Sequence, residues 1–464
     1  MPGSNFPCKR RILLCSIVGG FTHAAPILEL GTVLAKRGHE VHFGTKSGQE
    51  HWVSTVPAIT RIHSFGPAMP DADTKAYYTR MMQWHPSDGV GSIMQSKYLS
   101  VSYWPDSYFN LREVMLDPEV KPDMIIADFF VEAAAKDMMI EFNVPIGIMW
   151  SPMPYLLAPA SKPNHLVFVN SFFGLEAAKD LPPLMVPVRP LLSDEYPQLD
   201  DTYEAFLKSH NKTIDITLGT HIALPDAELE KLLEGLIIGL DAGHINGVIW
   251  SIGQSPRKKF DKSRQLIRAD GKKFLVGDIL DENHPDFVVP FFAPQRAILE
   301  HPNTKVYLTH GGGSSANETL FHGTPAGVGR AMDKFDFTPS EMADKIGQIV
   351  SDPDRSIHRN IWRMKGVAQI ASRRKYLASD MVEEVLCDHE MRFKDGEALR
   401  PMHLQTADMR MSVWKARNWD LWAISISVIA IGGTACVSGF KYVWQPDFGV
   451  SGYLVNVMEY LKMG

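Results

Sequence analysis

Short runs of β-branched and aliphatic residues alternate along this chain with stretches whose apolar positions recur at helical spacing. "RILLCSIV", beginning at Arg11, is continuous enough for a strand buried on both faces. "APILELGTVLAKRG" follows with helical periodicity, Gly38 stands where a left-handed C-cap is wanted, and "HEVHFGT" resumes as a strand. The pattern predicts a βαβ unit with short loops, the start of a doubly wound parallel sheet. "PDMIIADFFVEAAAKDMMIEFNVPIGIMW" repeats the plan, with a strand ending at Asp128, a helix, and a strand from Val144. Between the repeats, residues 71–115 are rich in Met, Trp and Tyr. Such a stretch fits either the lining of an apolar pocket or ordinary core helices.

The periodicity breaks at "MVPVRPLLSDEYPQLDD", where prolines and acidic residues mark a linker. A second α/β set follows, with strands at "IDITLGT", "INGVIWSIG", "DFVVPFF" and "KVYLTH". Its helix "PDAELEKLLEGLIIGLDAG" is opened by Pro225 and closed by Gly243. Neither set begins with G-x-G-x-x-G, which argues against a simple NAD dehydrogenase. Two Rossmann-like sheets in tandem place the default ligand site in the cleft between them. The expected organisation is a first domain over 1–188, a linker over 189–205 and a second domain over 206–375. A helical segment over 376–418, an apolar helix over 419–441 and a tail over 442–464 complete it.

A chain of 464 residues is long for one hydrophobic core, in keeping with two domains and an appendage. The net charge of -6 gives no reason to expect a nucleic-acid partner. Cys8, Cys15, Cys387 and Cys436 are scattered without metal-ligand or redox spacing, which suits a reducing compartment. No acidic cluster with metal-like spacing stands out. "KRRILLCSIVGG" superficially resembles a signal peptide, but the apolar run is short and Gly and His follow it. It reads as the first buried strand. Leu421–Phe440 is a 20-residue run with no charge, bracketed by Asp420 and Lys441. Its length matches a single membrane span better than a buried helix. Trp414, Trp419, Trp422, Tyr442 and Trp444 lie at its ends, where an aromatic belt belongs. Arg410, Lys415 and Arg417 on its N-terminal side favour a cytosolic body.

The chemistry concentrates at "THGGGSSANETL". The glycines let a ligand approach the backbone, and the helix that follows offers unpaired N–H groups to an anion. Ser314 and Ser315 add hydroxyls, His310 can donate to the same oxygens, and Glu318 lies one turn further on. A bare glycine turn of this kind serves equally well as a helix cap. With "APQRAILEHP" just upstream, the stretch "FFAPQRAILEHPNTKVYLTHGGGSSANETLFHGTP" resembles the donor-binding signature of the UDP-glycosyltransferases. "FTHAAPILELGTVLAKRGHEVHF" is similar to that family's first strand–helix–strand, and the fungal membrane-anchored and sterol-type branches look nearest.

The resemblance implies the GT-B fold, two Rossmann-like domains facing a cleft, here with a C-terminal transmembrane helix. It implies transfer of a hexose, glucose before glucuronic acid, from a UDP-sugar to a hydroxyl of a lipophilic small molecule. Gln295 and the nearby main chain would meet the uracil, with Phe292 stacking where the family usually has Trp. His310 with Gly312, Gly313, Ser314 and Ser315 would hold the diphosphate, and Glu318 the ribose hydroxyls. Ser314 replaces the Asn of many members. Gly219 and Thr220 match a second loop that reaches the phosphates across the cleft. His23 would be the general base and Asp128 the carboxylate that orients it. No metal or other cofactor is implied, the UDP-sugar being a co-substrate.

The chain departs from the family after "HGTP". Members continue with a strand, a loop carrying Asp-Gln that holds the donor sugar, and a helix. Here Pro325 leads directly to "AGVGRAMDKFDFTPSEMADKI", and Asp333-Lys334 is no substitute because "FDFTPSE" already reads as a helix start. The interval after Trp150 is short as well. Three readings stay open: a transferase that compensates elsewhere, an incomplete splice form or gene model of one, or a membrane-tethered nucleotide- or lipid-binding homologue without turnover.

Overall fold

The computed structural model describes residues 9–18, 20–83, 102–150, 163–169, 171–172, 175, 181–219, 224–325, 330–333, 336–391, 393–394, 397–398, 408 and 411–443. The chain divides into two compact units, Met1–Phe393 and Lys394–Gly464.

The first unit opens with a seven-stranded parallel sheet of β1 (Arg11–Cys15), β2 (Glu40–Thr45), β3 (Ile59–Ser64), β4 (Met124–Asp128), β5 (Ile146–Trp150), β6 (Leu166–Val169) and β7 (Met185–Pro187). Its order is β3-β2-β1-β4-β5-β6-β7, with the crossover expected of a doubly wound sheet. Ile12, Leu13, Leu14 and Cys15 are fully buried, which is why β1 reads as an unbroken apolar run. The helices that follow β1 and β4, α1 (Phe21–Lys36) and α2 (Glu132–Phe142), start at the C-terminal edge of the strands. Ligands of such sheets bind along that edge.

A second parallel sheet holds β8 (Thr213–Thr217), β9 (Gly247–Ser251), β10 (Phe287–Val288) and β11 (Thr304–Thr309) in the order β10-β9-β8-β11. Leu232, Leu233 and Leu236 of α3 (Asp226–Asp241) pack with Trp250, Met342 and Ile346, the last two from α6 (Pro339–Ser351). Two shorter helices flank β11: α4 (Gln295–Glu300) before it and α5 (Gly313–His322) after it. Among the described residues the sheet ends at β11, where the Tyr307 N–H donates to the Pro325 carbonyl at 3.0 Å. One edge group of β11 is thereby paired just where the expected extra strand would lie. Residues 326–329 and Lys334 fall outside the described residues.

Two long helices close the unit, α7 (Ser356–Ser372) and α8 (Arg374–Met391). The start of α8 is fastened to the first sheet's helical layer. Lys375, almost fully buried, donates to Glu29 of α1 at 2.7 Å and to the Leu192 carbonyl at 3.2 Å, and pairs with Asp194 at 2.8 Å. Arg37, the C-cap of α1, reaches Glu383 at 2.7 Å. The second unit contains α9 (Trp419–Val443), none of whose residues is buried and whose most apolar window has a mean hydropathy of 1.8. It is long and apolar enough to cross a membrane. Arg410 and Trp444 lie outside the described residues.

Asp215 in the middle of β8 is fully buried beside Tyr307, its register partner in β11. Burial pushes its pKa up to about 8. The folded state therefore holds a proton that the unfolded chain releases at lower pH. Its contribution to stability is complete in acid and is lost as pH rises toward 8. Asp215→Asn is expected to flatten this slope and to be more stable than the parent by roughly 1–3 kcal/mol at alkaline pH. Denaturant melts across the pH range check it; parallel curves for the two proteins would contradict it.

Candidate active site

The first strand delivers the chain to Gly20, whose φ of 73° turns it into α1. His23 sits in the first turn, its N–H bonded to the Gly20 carbonyl at 3.0 Å. Its Nδ1 lies 3.1 Å from Oδ1 of Asp128, the last residue of β4 and fully buried. The Phe130 N–H donates to the other carboxylate oxygen at 3.1 Å, and the Phe130 ring lies 5.0 Å from the imidazole. With Nδ1–H donating to the carboxylate, Nε2 carries the lone pair. The half-buried imidazole therefore has one nitrogen fixed and the other free to accept a proton.

The second half of the site is built around β11 and α5. After Thr309 the backbone passes through Gly311 at φ 79°, and Gly312 caps α5. A Cβ on Gly312 would lie 2.4 Å from Nε2 of His310, and one on Gly219, itself at φ 86°, 2.9 Å from Cε1. The His310 ring lies against both glycines, so a side chain at either position would force the ring to move. The first turn of α5 presents Gly313, Ser314 and Ser315 at the positive end of the helix dipole. The Ser314 hydroxyl reaches the Thr22 carbonyl at 3.4 Å, so this turn meets the start of α1 one residue from His23.

Beneath that turn, Gln295 at the start of α4 donates to Glu318 Oε2 at 2.5 Å. Burial raises the Glu318 pKa to about 7, against the pull of the neighbouring Arg296 charge and the Gln295 hydrogen bond. Phe292 is 80% exposed, a ring face open for stacking, while its neighbour Phe291 lies under the Arg257 guanidinium at 4.3 Å.

The structure thus pairs His23 with Asp128, Gln295 with Glu318, and His310 with Gly219 and Gly312. Ser314 touches the α1 side, and Thr220 lies outside the described residues. Arg296 escaped the sequence reading. It stacks on the Tyr196 ring at 4.0 Å, donates to the Ser193 carbonyl at 2.7 Å and faces Glu318 electrostatically. It ties the linker to the Gln295–Glu318 pair. Its place next to Gln295 in "APQR" was the available signal.

A sequence profile described as "UDP-glucoronosyl and UDP-glucosyl transferase" matches residues 248–332. A UDP-glycosyltransferase of Talaromyces amestolkiae is 33% identical over 507 aligned positions, covering 91% of this chain and 96% of that protein. The UDP-glycosyltransferase stmC of Aspergillus ustus is 33% identical over 513, with the same coverages. Both spans exceed 464, so these relatives carry internal residues that this chain lacks. Among solved structures, a Polygonum tinctorium UDP-glucosyltransferase superposes with TM-score 0.58 at 18% identity, over 82% of this chain and 99% of that one. A Phytolacca americana enzyme gives 0.56 at 15% identity, over 81% and 99%. The shared architecture is GT-B.

Gly312→Ala is expected to dislodge His310 and weaken UDP binding at least about tenfold, equivalent to about 1.4 kcal/mol. Titration calorimetry reads the affinity, and a thermal melt close to the parent's shows that the fold is kept. Unchanged affinity would remove His310 from the binding turn.

Proposed function

The chain belongs to the UDP-glycosyltransferases, and we propose that this one moves glucose from UDP-glucose to a hydroxyl of a lipophilic small molecule while tethered to a membrane by α9. The observation that carries the reading is the junction at Thr22 and Ser314, where a paired imidazole on one sheet edge borders an anion-binding helix start on the other. The fungal relatives support a UDP-sugar donor. The Polygonum enzyme, whose reported acceptor is indoxyl, is consistent with a small aromatic acceptor. The apolar length of α9 supports the tether, and Lys415 and Arg417 before it support a cytosolic body.

In the proposed step, Nε2 of His23 takes the proton of the acceptor hydroxyl as its oxygen attacks the anomeric carbon. The bond from that carbon to the β-phosphate oxygen breaks, and UDP departs with the electron pair. Attack from the face opposite UDP inverts the anomeric centre. Asp128 stabilises the imidazolium that forms. The α5 N-terminus, His310, Ser314 and Ser315 take up the charge developing on the diphosphate, so the reading needs no metal. Phe292 and Gln295 take the uracil and Glu318 the ribose hydroxyls. Gln295 must release Glu318 at least in part for the carboxylate to accept from them.

A second reading, a homologue that binds the nucleotide with little turnover, is favoured by the end of the second sheet at β11 and by the missing Asp-Gln loop. The full chain in native membranes, given UDP-glucose and a panel of lipophilic alcohols and phenols, decides between the two. His23→Ala is expected to lower transfer by about 10²–10⁴ while UDP affinity stays within about twofold. Turnover equal to the parent would sink the base assignment. Because the free Glu318 carboxyl titrates near 7, UDP affinity is expected to fall as pH drops below 7, by up to about tenfold per unit. Glu318→Gln supplies the baseline for UDP's own phosphate ionisation. Identical pH slopes in parent and variant would remove Glu318 from the ribose contact.

A further inference from the structure

We propose that the outer face of α7 is a membrane-contact surface of the first unit, fitted to a bilayer that contains anionic phospholipid. The proposal goes beyond the tether by α9 and is tested apart from it.

With one flanking residue at each end, α7 reads "RSIHRNIWRMKGVAQIASR". Ile357, Ile361, Met364, Ala368 and Ala371 recur at helical spacing and are buried. Ile361, Met364, Ala368 and Ala371 pack with Leu320 of α5, and the Gln369 side-chain amide donates to the Phe321 carbonyl at 3.3 Å. The inner face of α7 is thereby fixed on the helix whose start is the candidate diphosphate cradle. The helical repeat turns Arg359, Trp362, Arg363, Gly366 and Ile370 to the opposite face, with Arg373 just past the last turn. All six are exposed. Trp362 is 78% and Ile370 73% exposed, although both are large and apolar.

The charge on this face has one sign. No Asp or Glu occurs from Arg355 to Arg374, a run with six Lys and Arg in a chain whose net charge is -6. The neighbouring helices α6 and α8 each carry both signs. Carboxylates near the ends of α7 are engaged elsewhere. Asp352 accepts from the Ile357 and His358 N–H groups and pairs with the His358 ring, and Asp354 accepts from the Ser356 N–H. Asp380 and Glu383 of α8 pair with Arg37. Among the described residues no ion pair engages Arg359, Arg363 or Arg373.

A helix face that joins unopposed arginines to an exposed indole and an aliphatic side chain suits a surface with negative headgroups over an apolar interior. The arginines stay at the phosphates, and the Trp362 ring settles at headgroup level with its N–H toward water. Nucleic acid would meet the same arginines, but the net charge of the chain opposes it. The candidate span in the same chain favours lipid over an acidic protein. Docking in this way would hold the α5 half of the site at the bilayer surface, where a lipophilic acceptor collects. That consequence, unlike the docking itself, rests on the proposed transfer.

The test uses the full chain labelled with fluorotryptophan, in nanodiscs of phosphatidylcholine alone or mixed with phosphatidylserine, with and without a doxyl-labelled lipid. The fluorine NMR signals of Trp362 and of Trp422 in α9 are identified by their loss in W362F and W422F. The doxyl lipid is expected to broaden the Trp362 signal in the mixed discs and to leave it sharp in phosphatidylcholine alone or in high salt. Combining R359Q, R363Q and R373Q should lower the ratio of docked to undocked chains about a hundredfold, at roughly fivefold per arginine, and leave Trp362 sharp in both lipids. The three arginines are exposed, so the thermal melt of this variant should match the parent's. A Trp362 signal that the doxyl lipid leaves unchanged in the mixed discs overturns the proposal, and so does broadening that the triple variant keeps. A signal indifferent to lipid but shifted by added polyglutamate assigns the face to an acidic protein partner and overturns it as well. Trp422 reports the tether separately: if the doxyl lipid leaves it sharp, the span by α9 fails, while Trp362 still decides the role of α7.

Discussion

A single hydrogen bond of 3.1 Å, from the imidazole of His23 to the carboxylate of Asp128, sets what the first half of this protein can do. Neither residue has chemical meaning alone. A histidine in the first turn of a helix is commonplace, and a carboxylate at a strand end costs free energy to bury. The parallel sheet joins them, because adjacent β1 and β4 end on the same edge and α1 starts there. Their pairing depends on the register Cys15↔Ala127, which leaves Asp128 one residue beyond the end of β1. Shifting that register by one residue would turn Asp128 to the other face of the sheet.

The second half answers with backbone more than side chains. The His310 ring occupies space that a Cβ on Gly219 or Gly312 would fill, and the turn through Gly311 points the start of α5 toward Thr22. Lys375, buried between Glu29 and Asp194, fastens α8 to the helix that carries His23. Arg296, stacked on Tyr196, fastens the linker to the Gln295–Glu318 pair. Arg296 thus acts directly beside a candidate pair, and Lys375 acts at Glu29, further along the helix that carries His23.

Much of this was legible in the sequence, for reasons that can be named. β1 and β4 are short, mostly apolar runs that no solvent-exposed element would carry, and Gly38 and Gly243 take the positive φ that ends their helices. The second-sheet strand at "DFVVPFF" is only Phe287–Val288, because Pro290 cannot donate to a ladder. Part of the expected linker is helical from Asp201, capped by the Asp200 side chain accepting from Thr202 and Tyr203. The cap is encoded in "LDDTYE", directly after the prolines that mark the linker. Arg189, in the same proline-rich run, is 2% exposed, and only the tertiary packing buries it. Gln295 and Glu318 were each singled out, but a bond across 23 positions requires both flanks of β11 to be placed.

The most direct test of a base on one sheet edge and a leaving-group cradle on the other is the stereochemistry of the product. The full chain would be supplied with UDP-glucose, whose anomeric centre is α, and a lipophilic phenol, and the product's anomeric coupling constant read by NMR. A β-glucoside, formed by one displacement across the junction of His23 and the start of α5, is the predicted result. An α-glucoside would contradict the single displacement, and the absence of any glucoside across the acceptor panel would contradict transfer by this chain.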